Sequence, residues 1–162
     1  TPIVNRLDIP SPTAETVISP AGVFSGGIAA EGTTMLVGDG NSGDVRAFDA
    51  ATFPAFPVSF STGDLVASST SASSIDALGD LLLIAGQTFG GEGSALVIDR
   101  AAGTSITLQP AGPDAFYGGY FNHITNQLVV TANGTAYVYA IPTPATLALA
   151  PVALFAARRR RA

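Results

Sequence analysis

The sequence contains no cysteine, no lysine and no tryptophan, and it has one histidine, His123. Without cysteine the chain forms no disulfide and has no thiol chemistry, so its stability must come from packing. Catalysis needs several titratable groups that converge on one place, and a single histidine supplies little of that chemistry. No G-x-S-x-G motif marks a serine nucleophile either. These absences favour a non-catalytic protein, and no catalytic residue is predicted.

Positive charge is also scarce outside the C-terminus. Four of the seven basic residues are Arg158, Arg159, Arg160 and Arg161. The rest of the chain then has three arginines against twelve acidic residues, a net charge of −9. Such a surface repels phosphate backbones, so nucleic acid is excluded as a partner. It suits solvation, a bound cation or a neutral ligand.

The last residues combine a turn, an apolar run and a basic end. Pro142, Thr143 and Pro144 precede thirteen apolar or small residues, 145–157, which Pro151 interrupts. A full membrane span needs about 20 apolar residues, so this run is short for a permanent anchor. The arginines after it disfavour crossing and stay on the cytoplasmic side. This order predicts a short C-terminal membrane helix with residues 1–140 outside.

The tail resembles the PEP-CTERM sorting signal of exported bacterial proteins. Pro142-Thr143-Pro144 stands where that family has Pro-Glu-Pro, with Thr143 in place of glutamate, and the arginines match its basic end. The resemblance implies an exosortase-like membrane enzyme as a partner. It also implies export through an inner-membrane intermediate to the cell surface or the exterior. From the residues alone, a plain tail anchor or a soluble amphipathic end is the alternative.

The N-terminus leads to a related expectation. The first residue is Thr1, and a protein with such a tail enters the export route through an N-terminal signal. We therefore expect the sequence to be a trimmed or partial chain.

A repeat of short strands runs through residues 1–140. One strand type recurs every 41 to 50 residues. Its copies are Val4–Asp8, Val45–Asp49, Ala95–Asp99 and Ala136–Ala140. An apolar strand precedes three of them, at Met35–Val37, Leu81–Ile84 and Leu128–Val130. Before those come Gly26–Ala29, Ser73–Asp76 and Gly118–Phe121, and the fourth strands are Glu15–Ser19, Pro57–Ser61 and Ser105–Leu108.

Four strands in each repeat of this length are typical of a β-propeller blade. The sequence therefore predicts an all-β fold, a partial β-propeller of about three four-stranded antiparallel blades. Residues 1–140 would form it, and 141–162 the membrane segment. The pattern resembles NHL-like or WD40-like blades in architecture only. A β-sandwich of about ten strands is the alternative. The three apolar strands are predicted to be buried on both faces.

One loop has the composition of a cation site. Asp39, Asn41 and Asp44 alternate with glycine and serine, and such oxygen ligands suit calcium. They are the candidate metal ligands, with calcium as the one cofactor considered, and a plain hairpin loop is the alternative. The recurring aspartates Asp8, Asp49 and Asp99 are predicted to bond their own turns.

Two functions follow from these patterns. The first is an exported, non-catalytic protein that holds a polysaccharide or a protein at the cell surface or in the extracellular matrix. The second is the C-terminal part of an extracytoplasmic propeller enzyme, a lyase or hydrolase, whose catalytic residues lie upstream.

Overall fold

The computed structural model describes residues 4–7, 14–19, 26–52, 57–87, 93–109 and 116–141. Within these ranges the chain forms fourteen β-strands and two short 3-10 helices, with no α-helix. The predicted all-β fold is confirmed. Strands dominate because short segments that either alternate between apolar and polar side chains or are apolar throughout lie between turn residues, and neither pattern has the 3.6-residue period of an amphipathic helix.

The strands form four sheets. The first sheet has the order β1-β2-β6, with β1 Val4–Leu7, β2 Ala14–Ser19 and β6 Val58–Ser59. The second has the order β3-β4-β5-β7, with β3 Ile28–Glu31, β4 Thr34–Gly38, β5 Asp44–Asp49 and β7 Asp64–Ser68. The third has β8 Ser74–Leu78, β9 Leu81–Gln87, β10 Gly93–Asp99 and β11 Thr104–Leu108, in sequence order. The fourth has β12 Gly118–Asn122, β13 Gln127–Ala132 and β14 Thr135–Ala140.

The second, third and fourth sheets repeat one antiparallel plan. In each, the residue just after the third strand donates its N–H to a carbonyl in the turn between the first two strands. The bonds are Ala50 to Thr33 at 2.8 Å, Arg100 to Asp80 at 2.9 Å and Ile141 to Asn126 at 3.2 Å. The sequence repeat is therefore also a repeat of hydrogen bonds, and equivalent positions can be compared between sheets.

The predicted strands agree with most of this arrangement, but one fourth strand was placed wrongly. Pro57–Ser61 was expected to complete the second sheet, whereas Val58 and Ser59 pair in parallel with β2 of the first sheet. The 3-10 helix Phe60–Thr62 follows, and β7 completes the second sheet. Phe60 is buried against the first and second sheets, and this burial draws residues 58–60 away from β5.

The predicted grouping into about three antiparallel sheets is confirmed, although not every sheet has four strands. Two sheets are four-stranded and antiparallel, the fourth sheet has three antiparallel strands, and the first mixes antiparallel and parallel pairs. Strands grouped in four sheets do not form the two-sheet sandwich that the sequence left open.

Three layers of apolar side chains lie between successive sheets. Ile18 and Phe48 belong to the layer between the first and second sheets. Leu36 and Ile84 belong to the next layer, and Leu83 packs with residues of the fourth sheet. The central strand β9 thus buries Leu83 on one face and Ile84 on the other, both with no exposed surface. The apolar runs predicted to be buried lie in β4, β9 and β13. Those in β4 and β9 are mostly buried, as expected for strands covered on both faces. In β13, Leu128 and Val130 are buried on one face, whereas Val129 on the other face is partly exposed.

The first strands of the three repeated sheets lie beside one another, β3 against β8 and β8 against β12. The sheets therefore converge along these strands, and their outer strands are β7, β11 and β14. The predicted membrane helix lies outside the described residues. In the ranges that the structure covers, no helix is long and apolar enough to cross a membrane.

Candidate functional site

The predicted cation loop is the hairpin between β4 and β5. Asp39 is only 6% exposed, and its carboxylate bonds within the loop. Oδ1 accepts the N–H of Asn41 at 2.8 Å, and Oδ2 accepts the hydroxyl of Ser42 at 3.0 Å. The carbonyl of Asp39 accepts the N–H groups of Gly43 and Ala72, at 2.9 and 3.2 Å. Asp39 therefore organises the hairpin and ties it to the segment before the third sheet.

Asp44 directs its carboxylate elsewhere. Its Oδ1 accepts the hydroxyl of Ser68 on the neighbouring strand β7 at 2.8 Å. Its Oδ2 lies 3.3 Å from a guanidinium nitrogen of Arg46. The same guanidinium donates to the carbonyl of Gly63 at 2.8 Å and lies 5.6 Å from the Phe60 ring centre. Asp44 thus belongs to a contact across the outer strands of the second sheet.

The geometry favours the hairpin interpretation of this loop. Both carboxylates make bonds that a tight loop and a strand pair need, and they bond different groups. In the part of the chain that the structure describes, no group of three or more His, Asp or Glu side chains could hold a metal. Calcium binding by Asp39, Asn41 and Asp44 remains a prediction of the sequence alone.

An Asp39→Ala substitution tests the two interpretations. We expect it to lower the free energy of unfolding by about 1–3 kcal/mol, because it removes the charged acceptor of the hydrogen bonds from Asn41 and Ser42. Asp39→Asn keeps one oxygen for the Asn41 N–H and should cost less. Calorimetric titration of both variants and the wild type with calcium should give equal heats. A calcium-dependent heat in the wild type that Asp39→Ala abolishes would establish the cation site instead.

The recurring aspartates bond their own turns, as predicted. Asp49 Oδ1 accepts the N–H of Ala51, and Asp99 Oδ1 accepts the N–H of Ala102, each at 2.9 Å. Asp99 is buried, so this bond also satisfies a carboxylate that lies away from water. Asp8, the third member of this series, lies outside the described residues.

His123 lies exposed in the turn between β12 and β13. The turn is shaped by its neighbour Asn122, whose side-chain oxygen accepts the N–H groups of Ile124 and Thr125 at 3.0 and 3.2 Å. His123 therefore lies in a turn that Asn122 stabilises.

Side chains that join neighbouring sheets could not be foreseen from the sequence. Ser74 and Asp76 on β8 face the fourth sheet, and the Asp76 carboxylate accepts the N–H of Phe121 at 2.6 Å. The Ser74 hydroxyl is 3.3 Å from both the N–H and the carbonyl of Gly119. These contacts fix β12 against β8 through its backbone. Any residue can supply such a backbone group, so no sequence motif on β12 predicts these contacts.

A second contact of this kind joins the second and third sheets. Arg100 makes a two-pronged ion pair with Glu31 and also donates to the carbonyls of Gly79 and Asp80. The hydrogen bond that Arg100 donates to Glu31 raises the pKa of Arg100, while partial burial opposes that rise. In the core between the third and fourth sheets, burial raises the pKa of Tyr139 and its neighbour Tyr137 adds to the effect. Both shifts belong to side chains that hold sheets together.

The predicted sorting residues Pro142, Thr143 and Pro144 and the arginines 158–161 lie outside the described residues. Their roles remain expectations from the sequence.

Comparisons with known proteins give few matches. No protein-family model matches the chain, and no curated protein matches it in sequence. Among solved structures, the chain is similar to the computationally designed Ika4 protein, with a TM-score of 0.43 and 13% identity. That similarity covers 80% of this chain and 100% of the designed one.

Proposed function

We propose that this chain is an exported, non-catalytic binding or structural protein, which a PEP-CTERM-like tail directs to the cell surface or extracellular matrix. The observation that carries this proposal is the order of elements after β14. A Pro-Thr-Pro turn is followed by the apolar run 145–157 and then by four arginines. Each arginine costs about 2.5–3.5 kcal/mol at the centre of a bilayer, so the basic end stays cytoplasmic. The body of the protein is then exported.

The body suits a supporting role. The carboxylates of Asp39, a candidate cation ligand, and of the recurring Asp49 and Asp99 accept hydrogen bonds from the backbone of tight turns. Ser74 and Asp76 bond the backbone of the next sheet. These side chains stabilise a frame on which loops can present a surface to a polysaccharide or a protein.

The same proposal includes a finer description of the frame, a partial β-propeller. It is supported by successive meander sheets, by their face-to-face cores and by first strands that lie side by side. Equivalent hydrogen bonds after each third strand add to this support. Each sheet would then be one blade, with the first strands nearest the axis.

Mass spectrometry of the mature protein from its native host tests the sorting proposal. We expect the wild type to lose its tail near Pro142-Thr143-Pro144, because thirteen apolar residues hold a protein at the membrane only transiently. Replacing the four arginines 158–161 by serine should leave the tail intact, since the charge that sets orientation is gone. Replacement by lysine keeps that charge and is the matched control.

Two outcomes separate the proposal from its alternatives. Loss of the tail in the wild type and the lysine variant, but not in the serine variant, supports sorting. An intact, membrane-bound wild type would show a simple tail anchor and overturn the proposed processing.

A further inference from the structure

The outer face of the fourth sheet carries a row of partly exposed apolar side chains. Tyr120, Val129 and Val138 are directly paired across β12, β13 and β14, so they project from the same face. Tyr120 is 51% exposed and Val138 is 40% exposed. The opposite face of this sheet is buried against the third sheet through Phe121, Leu128 and Tyr139. The fourth sheet therefore has one covered face and one open face, and the open one is apolar at its centre.

The equivalent row of the third sheet is covered. There, Asp76, Leu83 and Val97 are paired across β8, β9 and β10. They correspond to Tyr120, Val129 and Val138 of the fourth sheet, because each lies two residues from the last strand pair before the turn. Leu83 has no exposed surface and Val97 is 9% exposed, because the fourth sheet packs on them. The next sheet therefore covers this row in the third sheet, whereas the equivalent row in the fourth sheet is open.

The open face has no charge. Its members are uncharged throughout: Gly118, Tyr120, Asn122, Gln127, Val129, Thr131, Ala136, Val138 and Ala140. The chain as a whole has a net charge of −5. An uncharged face of three strands in an acidic protein is suited to an apolar partner, because no charge has to be removed from water.

We propose that the chain's own C-terminal apolar segment, residues 145–157, covers this face when it is not in a membrane. The segment begins four residues after Ile141, the residue that directly follows β14. The N–H of Ile141 bonds to the carbonyl of Asn126, directly before β13. Three intervening residues can span roughly 10 Å, about the distance between packed layers. As a helix bent at Pro151, these thirteen residues would be about 20 Å long, which matches the length of a six-residue strand. The segment therefore reaches the face and fits it.

The tether decides between this occupant and a second copy of the chain. Three strands spaced about 4.8 Å apart and about 20 Å long give a face of roughly 280 Å², well below the area of about 800 Å² per partner that a stable complex needs. A short linker holds its segment at an effective concentration of order millimolar, so a small contact suffices. Charge holds the tail near the rest of the protein as well, since four arginines follow the segment and the rest of the chain has a net charge of −9.

This inference goes beyond the proposed function and does not depend on processing. It gives the apolar run two alternative surroundings, a membrane and the fourth sheet. Removal of the tail would then uncover the face of Tyr120 and Val138 in the mature protein.

Disulfide trapping tests the proposal in the full chain, in buffer without detergent. The protein has no cysteine, so introduced pairs report without background. The test pair is Val138→Cys with Ala148→Cys. The matched control is Ile124→Cys with Ala148→Cys. Ile124 is 96% exposed and lies in the turn beside the bond between Ile141 and Asn126, so it is near the root of the segment but off the face.

We expect the test pair to form an intramolecular disulfide at least tenfold faster than the control pair, with peptide mapping to confirm the bond. Equal rates would mean that the segment moves freely, and the proposal would be wrong. Rapid, concentration-dependent linkage of two chains through Val138→Cys alone would identify a second copy as the occupant and would also overturn it. Neither failure bears on the sorting proposal, which the mass of the mature protein tests separately.

Discussion

Replacing Gly43 by alanine is expected to lower the free energy of unfolding by more than about 3 kcal/mol. Gly43 has a φ of +76°, and for other residues such a backbone costs about 1–2 kcal/mol. A Cβ built at this position would lie 1.8 Å from the carbonyl oxygen of Ser69. That oxygen belongs to rigid backbone, since the Ser69 N–H bonds to the carbonyl of Gly43 at 3.0 Å. To relieve this contact, the hairpin between β4 and β5 has to move away from the segment that connects β7 to β8 in the third sheet.

Gly103→Ala is the matched control for this prediction. Gly103 has a φ of +66°, but a Cβ there would meet no atom within 4 Å. The free energy of unfolding of Gly103→Ala should fall only by the cost of a positive φ in alanine, about 1–2 kcal/mol. Urea unfolding followed by circular dichroism measures both variants against the wild type. Equal losses would show that the contact with Ser69 yields freely and that only the backbone conformation matters.

A second large effect is expected for Phe121→Ala. Phe121 is 2% exposed and lies in the core between the third and fourth sheets, with Leu83 and Tyr139 in the same cluster. Truncation of a buried phenylalanine costs about 3–5 kcal/mol, through lost burial and the cavity left behind. A domain of this size is stable by about 5–15 kcal/mol, so this loss should be evident in urea unfolding.

Ile124→Ala provides the comparison for Phe121→Ala. Ile124 is three residues further along the chain and 96% exposed, so its truncation should change stability by less than about 0.5 kcal/mol. A Phe121→Ala variant as stable as Ile124→Ala would mean that the fourth sheet is not packed on the third. The repeat of covered faces, on which the trapping experiment also rests, would then be lost.

Local patterns carried much of the fold. The apolar runs in β4 and β9 predicted buried central strands, because a strand covered on both faces must be apolar on both; the run in β13 is buried on one face only. The pair Asn133-Gly134 is typical of a two-residue hairpin turn. Both residues have positive φ, at 42° and 72°, as the turn between β13 and β14 requires. The turn bonds of Asp49 and Asp99 were also predictable, since each carboxylate reaches only a few residues along its own chain.

The sheet that Val58 joins and the direction of the Asp39 and Asp44 carboxylates could not be predicted from the sequence. Pro57–Ser61 had the apolar character of a strand, but only the burial of Phe60 beside Ile18 decided that Val58 joins the first sheet. The cation interpretation of Asp39 and Asp44 depended on where their oxygens point, and composition does not give that direction.

By itself, then, the sequence determined the strands, their turns, the strand repeat and the tail with its basic end, because period, turn chemistry and charge act over a few residues. The tertiary structure alone decided which sheet each edge strand joins. It alone decided that Asp76 and Arg100 join sheets and that no other sheet within the described ranges covers Tyr120 and Val138. The bonds between sheets depend on groups that lie 40 or more residues apart, as in those from Phe121 to Asp76 and from Arg100 to Glu31, which span 45 and 69 residues. Only packing brings such groups together, since the partner is often a backbone amide that every residue carries.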